Sequence, residues 1–318
     1  MYAITALKVL MMIAYGVPGY LLVKTKALGE ESIKAFAKFL LYVCQPALSL
    51  YTLTSVDSTP ILIRDLWIFF FVTLLAQVAV IGLYSLVFRK KMKSDLGHRV
   101  CSVAGICGNV GFFGIPLLEY LIPDMPEVRV YSAAFSISMN VIGWTLGLLM
   151  MTGDKKYIKL KAVFLNPSVI TFAVSFTLFA FGFKFPEAIA DFIETLGRMS
   201  TVVCMTVLGM RLATKSLVKI FTNYRIYIAA AIKLIISPII IGAMFAILPV
   251  GQEVKTAAFV LACCPGATMI QSLSETHGGD SRTAADIVLS TSLICILTIP
   301  LMWTLYNYVI SALGGNLI

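Results

Sequence analysis

The sequence predicts an all-α polytopic membrane protein with ten transmembrane helices in two oppositely oriented halves. The first observation behind this is composition: the 318 residues are 59% hydrophobic and 13% charged. Soluble domains run at roughly 45–50% and 25%. With a mean hydropathy of +0.92, no soluble fold hides this much apolar surface, and lipid must be the solvent. The second observation is length. The apolar runs extend for about 20 residues, enough to span as helices, whereas barrel strands alternate over about 10. The third is that two of the runs, at matching places in the two halves, are interrupted by glycine and proline. Together these exclude a soluble enzyme, a secreted disulfide scaffold, a disordered chain and a single anchor carrying a globular head.

The spans follow in order. Span one, 4–23, lies in MYAITALKVLMMIAYGVPGYLLVK. It lacks a basic leader region and a cleavage site, so it reads as a span and not a removable signal. Span two, 35–54, carries Gln45 before Pro46. Span three, 66–88, opens on Trp67, Phe69, Phe70 and Phe71, read as an interfacial aromatic belt. It carries Gln77 and ends at the basic run Arg89, Lys90, Lys91 and Lys93. Span four, 100–121, reads CSVAGICGNVGFFGIPLLEYLI, with Gly105, Gly108, Gly111, Gly114 and Pro116 crowding its middle. Glycine costs about 1 kcal/mol and proline about 3 kcal/mol inside a helix, so this stretch cannot stay regular. Span five, 129–152, holds Asn140.

The loop over 153–166 divides a first half, residues 1–152, from a second, residues 167–318. Spans six and seven, 167–183 and 190–212, are followed by span eight, 224–248, with Lys233. Asp191, Glu194 and Arg198, at helical spacing in span seven, read as a wet outer face. Span nine, 255–275, is interrupted at Pro265-Gly266, and span ten, 284–310, begins near Asp286 and Arg282. Five spans per half make the halves enter the membrane in opposite directions, the arithmetic of an inverted repeat.

The net charge of +9 sets topology and does not point to nucleic acid. The loops after spans one, three, five, seven and nine hold most of the lysines and arginines, among them Lys24, Lys155, Lys159, Arg211, Lys215 and Arg282. The alternate loops hold little beyond Arg64, Arg129, Lys184 and Lys255. The first set is therefore expected in the cytoplasm and both termini outside. His98 and His277 fall in expected loops, and the seven cysteines in apolar segments without metal-like spacing, so no metal, disulfide or cofactor is expected.

Backbone unwound at membrane depth survives only where it lines a cavity or meets a ligand. A helix restarting after such a break presents free N–H groups and a positive dipole end, which suit anions. Paired interruptions in the two halves are the best sequence pointer to a transporter site. Asn109 sits at the first break, able to cap a helix or donate to a substrate. The alternative is a glycine kink for close helix packing.

Gly108-Asn109-Val110-Gly111 through Pro116 (GNVGFFGIP) resembles the GNTGFxGxP signature of the auxin efflux carrier family, which spans plant auxin carriers and bacterial malate/malonate-type permeases. Cys264-Pro265-Gly266-Ala267, the stretch 290–300, Gln45-Pro46-Ala47-Leu48, and Lys233-Leu234 with Pro238 are similar to the family as well. Val110 stands where threonine is common. The resemblance implies ten helices in two inverted repeats, with helices four and nine broken and crossing at the midplane. It also implies relative motion of a scaffold and a transport bundle, small organic anions as substrates, and a homodimer.

Within the spans, Lys233 is an ionisable group roughly 15 Å deep in a core about 30 Å thick. It could neutralise a carboxylate, stand in for a coupling cation, or serve structure alone. Asn140 and Gln45 either face the crossing or make interhelical hydrogen bonds. Gln77 is the repeat counterpart of Lys233, and Asp286 is a proton-coupling acid or an ordinary first-turn acid. Phe112 and Phe113 lie in the break and could gate, stack or pack. The resulting expectation is a secondary carrier in the cell membrane for a small organic anion, bound near Asn109, Asn140 and Lys233. No catalytic set is present, and no phosphate loop, so neither nucleotide nor enzyme chemistry is expected. A channel or a ligand sensor on the same fold is the alternative.

Overall fold

In lipid only a helix satisfies a spanning segment's own peptide groups without a closed barrel. The computed structural model describes residues 2–154 and 167–312, and these are helical throughout apart from turns, the two breaks and a single antiparallel bridge. Among the described residues, seven helices are long and apolar enough to cross a membrane: α1 Tyr2–Lys24, α2 Ser32–Thr54, α3 Pro60–Ser94, α6 Pro126–Thr152, α8 Glu187–Ala213, α9 Tyr224–Ala246 and α12 Ser281–Ala312. Between them lie α4 Leu96–Ala104, α5 Gly114–Leu121, α7 Pro167–Ala180, α10 Gln252–Ala262 and α11 Met269–His277. The pairs α4/α5 and α10/α11 occupy the expected interrupted spans four and nine. Most of the expected linker lies outside the described residues.

Helix starts follow the caps more closely than the hydropathy. α3 begins at Pro60, not near 66, because Thr59 Oγ1 accepts from Leu62 N at 3.2 Å and proline suits the first turn. It runs on through the basic run to Ser94. α4 begins at Leu96 because Asp95 caps it, accepting from Gly97 N at 2.8 Å. That start corrects the reading of His98 as a loop residue. His98 is buried in α4, its Nδ1 2.7 Å from Tyr84 Oη and its Nε2 3.0 Å from Tyr224 Oη. His277 likewise ends α11 and does not sit in a loop. Asp95 also ties α4 to α9 through Arg225 Nη2 at 2.5 Å. Burial raises its pKa, but the Arg225 and Gly97 hydrogen bonds outweigh this and hold the carboxyl below its ordinary range.

The expected aromatic belt is split. Trp67 and Phe71 are exposed, but Phe69 is fully buried, its ring 5.0 Å from Tyr131 and 5.1 Å from Phe245. Along a helix only every third or fourth side chain faces outward. Among the described residues, three helices widen to a π turn: α2 at Leu40–Cys44, α6 at Gly143–Gly147 and α9 at Ile232–Ile236. In α2 and α9 the widening directly precedes Pro46 and Pro238, whose missing N–H groups it accommodates.

α1 and α8 approach with almost no side chain between them. Gly16 and Gly19 of α1 face Met205, Thr206 and Gly209 of α8, the small-residue contact that lets helices pack closely in lipid. A Cβ on Gly19 would lie 2.1 Å from Thr206 O.

Candidate functional site

A helix interrupted inside the membrane leaves N–H and C=O groups that lipid cannot satisfy. Here the two breaks satisfy each other. Asn109 N donates to Pro265 O at 2.7 Å, and Ala267 N donates to Cys107 O at 3.0 Å. Gly108 and Gly266 thus face one another across a short antiparallel bridge. Neighbouring helices take up the rest. Gly266 N donates to Thr291 Oγ1 at 3.0 Å, and Thr201 Oγ1 donates to Phe112 O at 2.7 Å. Behind the bridge is Lys233, fully buried, its Nζ donating to Ala262 O at 2.7 Å. A cation on the last carbonyl of α10 meets the negative end of that helix. A side chain at Gly108 would begin 3.1 Å from the Lys233 Nζ and crowd it.

In front of the bridge is a cavity of about 350 Å³. Both breaks line it, through Gly108, Asn109, Val110, Gly111 and Phe112 from one and Ala267 and Thr268 from the other. Leu40, Leu41, Met139, Trp144, Val207 and Met269 make much of the remaining wall apolar. Of its lining residues, Leu41, Ser272 and Glu275 are exposed.

A smaller cavity of about 30 Å³ continues along α2, sharing Gln45, Gly111, Ser136 and Asn140 with the first. Further along α2, at Tyr51, lies an ionic cluster. Tyr51 Oη accepts from Arg129 Nη1 and, at 2.7 Å, from Arg198 Nη2. Glu119 bridges Arg129 at 3.1 Å and Arg198 at 3.2 Å, and both guanidinium groups lie over the Tyr51 ring, 4.9 Å and 5.2 Å from its centroid. Glu194 joins at 2.6 Å from Arg198. Of the residues read as a wet outer face of span seven, Asp191 and Arg198 are exposed as expected, and Glu194 and Arg198 also join a cluster that links α2, α5, α6 and α8.

The family model described as membrane transport protein matches residues 2–163 and 155–303. The chain belongs to the membrane transport protein family. Those two matches take in nearly the whole chain and bear out the resemblance to auxin efflux carriers at the level of the family, one of transporters and not of enzymes. Nothing in them separates plant carriers from bacterial permeases. No curated protein sequence matches the chain.

In this membrane transport protein, Gln45, Gly108, Asn109, Val110, Gly111, Asn140 and Ala267 come together on the cavity wall. Asn109 Nδ2 lies 3.6 Å from Cys204 Sγ, and Asn140 Nδ2 donates to Ser136 O at 2.7 Å. Other expected site residues stand elsewhere. Pro116 is in the first turn of α5, where its missing N–H breaks no helical bond. Pro265 and Gly266 hold the bridge through their main chain. Lys233 faces the back of that bridge and not the cavity lining, because its ammonium is taken by the end of α10. Gln77 is buried at the α3–α6 contact, donating to Ser138 Oγ at 2.9 Å. Asp286 is buried against Lys215 Nζ at 2.5 Å, and not beside Arg282.

Reading the sequence missed Arg211, Gln271 and Glu275, all on the cavity wall. Arg211 counted as a loop cation, yet α8 continues to Ala213. Cys204, Val207 and Arg211 fall at i, i+3 and i+7, one helical face, and all three line the cavity. That spacing was the available signal. Arg211 Nη1 donates to Gln271 Oε1, and Gln271 Nε2 donates to Glu275 Oε1 at 2.6 Å.

Proposed function

We propose that this membrane transport protein is a secondary carrier that moves a small organic anion across the cell membrane by alternating access. The observation that carries the reading is the cavity in front of the paired breaks. It joins main chain from both interrupted helices to amide side chains from α2, α4–α5 and α6, in a wall otherwise largely apolar. The order of helices supports ten spans in two inverted halves, with α4/α5 and α10/α11 as the crossing pair. The same parity and the loop charges put both termini outside. On that orientation the cavity opens at Ser272 and Glu275 to the cytoplasm, and the Tyr51 cluster closes the outer side. A cavity open to one side and sealed by breakable ion pairs on the other is what alternating access requires. Lys233 acts by positioning, because it fixes the end of α10 on which the second break hangs. Without a phosphate loop, drive comes from gradients of substrate, protons or sodium, or from membrane potential.

The test is thermal stabilisation of the detergent-purified protein by small carboxylates, indole acids and neutral analogues, with and without sodium, at two pH values. A ligand at 100 times its Kd adds about 2.7 kcal/mol, which is readily seen. Carboxylates are expected to stabilise and their neutral amides are not. Stabilisation by neutral or cationic compounds only would remove the anion from the account.

A further inference from the structure

We propose that Arg211 is the group that receives the substrate's carboxylate, and that Gln271 and Glu275 hold its place while the cavity is empty. This rests on the carrier reading above and names the residue that reading lacks. Among the residues lining the cavity, Arg211 is the one cation and Glu275 the one acid. Lys233, the cation the sequence suggests, is engaged behind the bridge. Arg211 has no acid within 4.0 Å among the described residues: its Nη1 is bonded to a neutral amide oxygen, and its Nε is buried without a partner. A partly buried guanidinium left in this condition is unusual, because buried charges are ordinarily paired. Its planar fork fits the two oxygens of a carboxylate side by side, and a free Nε beside an Nη is one edge of that fork.

The relay explains how Arg211 is held without an acid beside it. Gln271 offers Arg211 its amide oxygen and passes its own N–H to Glu275, so the two charges are joined through a neutral group without touching. A carboxylate entering the cavity supplies the charged acceptor that the neutral Gln271 oxygen is not. The relay also counts charge. Arg211 and ionised Glu275 sum to zero. A monoanion therefore leaves the site with one net negative charge and a dianion with two, in a wall that is largely apolar. The site thus selects a single carboxylate attached to an apolar body, and Glu275 is the group that disfavours a second one.

The test uses full-length protein and three probes, benzoate, malonate and benzamide, with Kd read from thermal shift. Arg211→Gln is expected to weaken benzoate about tenfold or more while leaving the response to benzamide unchanged. Arg211→Lys keeps the charge but not the fork, and is expected to fall between. It also serves if the glutamine variant does not fold. Glu275→Gln is expected to improve malonate relative to benzoate by about tenfold. Benzoate binding unchanged in both Arg211 variants, but lost in Asn109→Ala, would overturn this assignment and spare the carrier reading. A wild-type protein indifferent to both benzoate and malonate would overturn the assignment together with the anion site it depends on.

Discussion

Gly209→Leu is expected to leave little correctly packed protein. A Cβ at this position would lie 1.8 Å from Gly16 O and 2.7 Å from Gly16 C. Both are main-chain atoms, so no rotamer change relieves the clash and α1 must move off α8. In lipid the loss is felt fully, because close van der Waals approach is itself what holds such helices together. Overpacking of this kind costs about 3 kcal/mol or more, and at about 2–4 °C per kcal/mol the Tm falls by roughly 6–12 °C. Gly82→Leu is the matched control, since nothing lies within 4 Å of a Cβ there. Fluorescence-detected size exclusion and a thermal ramp decide it. A Gly209→Leu protein with the Tm of the wild type would show that the α1–α8 contact does not hold the fold.

Asn109→Ala is expected to do the opposite, keeping the fold and removing the ligand. The bridge to the second break is made by Asn109 N and not by the side chain, so alanine preserves it. The side chain's own contact is a long one, to Cys204 Sγ at 3.6 Å. What is lost is an amide on the cavity wall, where a hydrogen bond to a charged ligand is worth about 1.5–3 kcal/mol. Substrate affinity is therefore expected to fall about 10- to 150-fold with Tm in the absence of ligand nearly unchanged. An alanine variant that binds the stabilising carboxylate as tightly as wild type would move the binding site away from the first break.

Much of this architecture is legible in the chain because glycine and proline act locally. GICGNVGFFGIP and CCPGAT cannot remain regular helix whatever surrounds them, so both breaks could be placed before any coordinates. Which groups of the breaks bond to each other could not, since the partners of Asn109 N and Ala267 N lie about 160 residues away in sequence and are brought in by packing alone. Lys233 shows the same division. Its depth follows from its place in an apolar run, and it is fully buried, but the direction of its ammonium depends on where α10 ends. Arg211 was hidden by the opposite error. Charges near helix ends are weighed as topology signals, and the face on which this one lies emerges only when its spacing from Cys204 and Val207 is followed. The Tyr51 cluster draws on four separate helices, and only its Glu194–Arg198 pair, four residues apart on one helix, has a local signature.

On the carrier reading, the paired breaks hold an organic anion and present it to each side of the membrane in turn. Counterflow in proteoliposomes tests that claim most directly, using the carboxylate that stabilises the purified protein best. Vesicles preloaded with unlabelled compound are expected to take up the labelled one faster than empty vesicles, with saturation, and Asn109→Ala is expected to abolish the acceleration. Uptake that rises linearly with concentration and ignores the internal load would describe a channel, and binding without flux a sensor. Either would contradict the account.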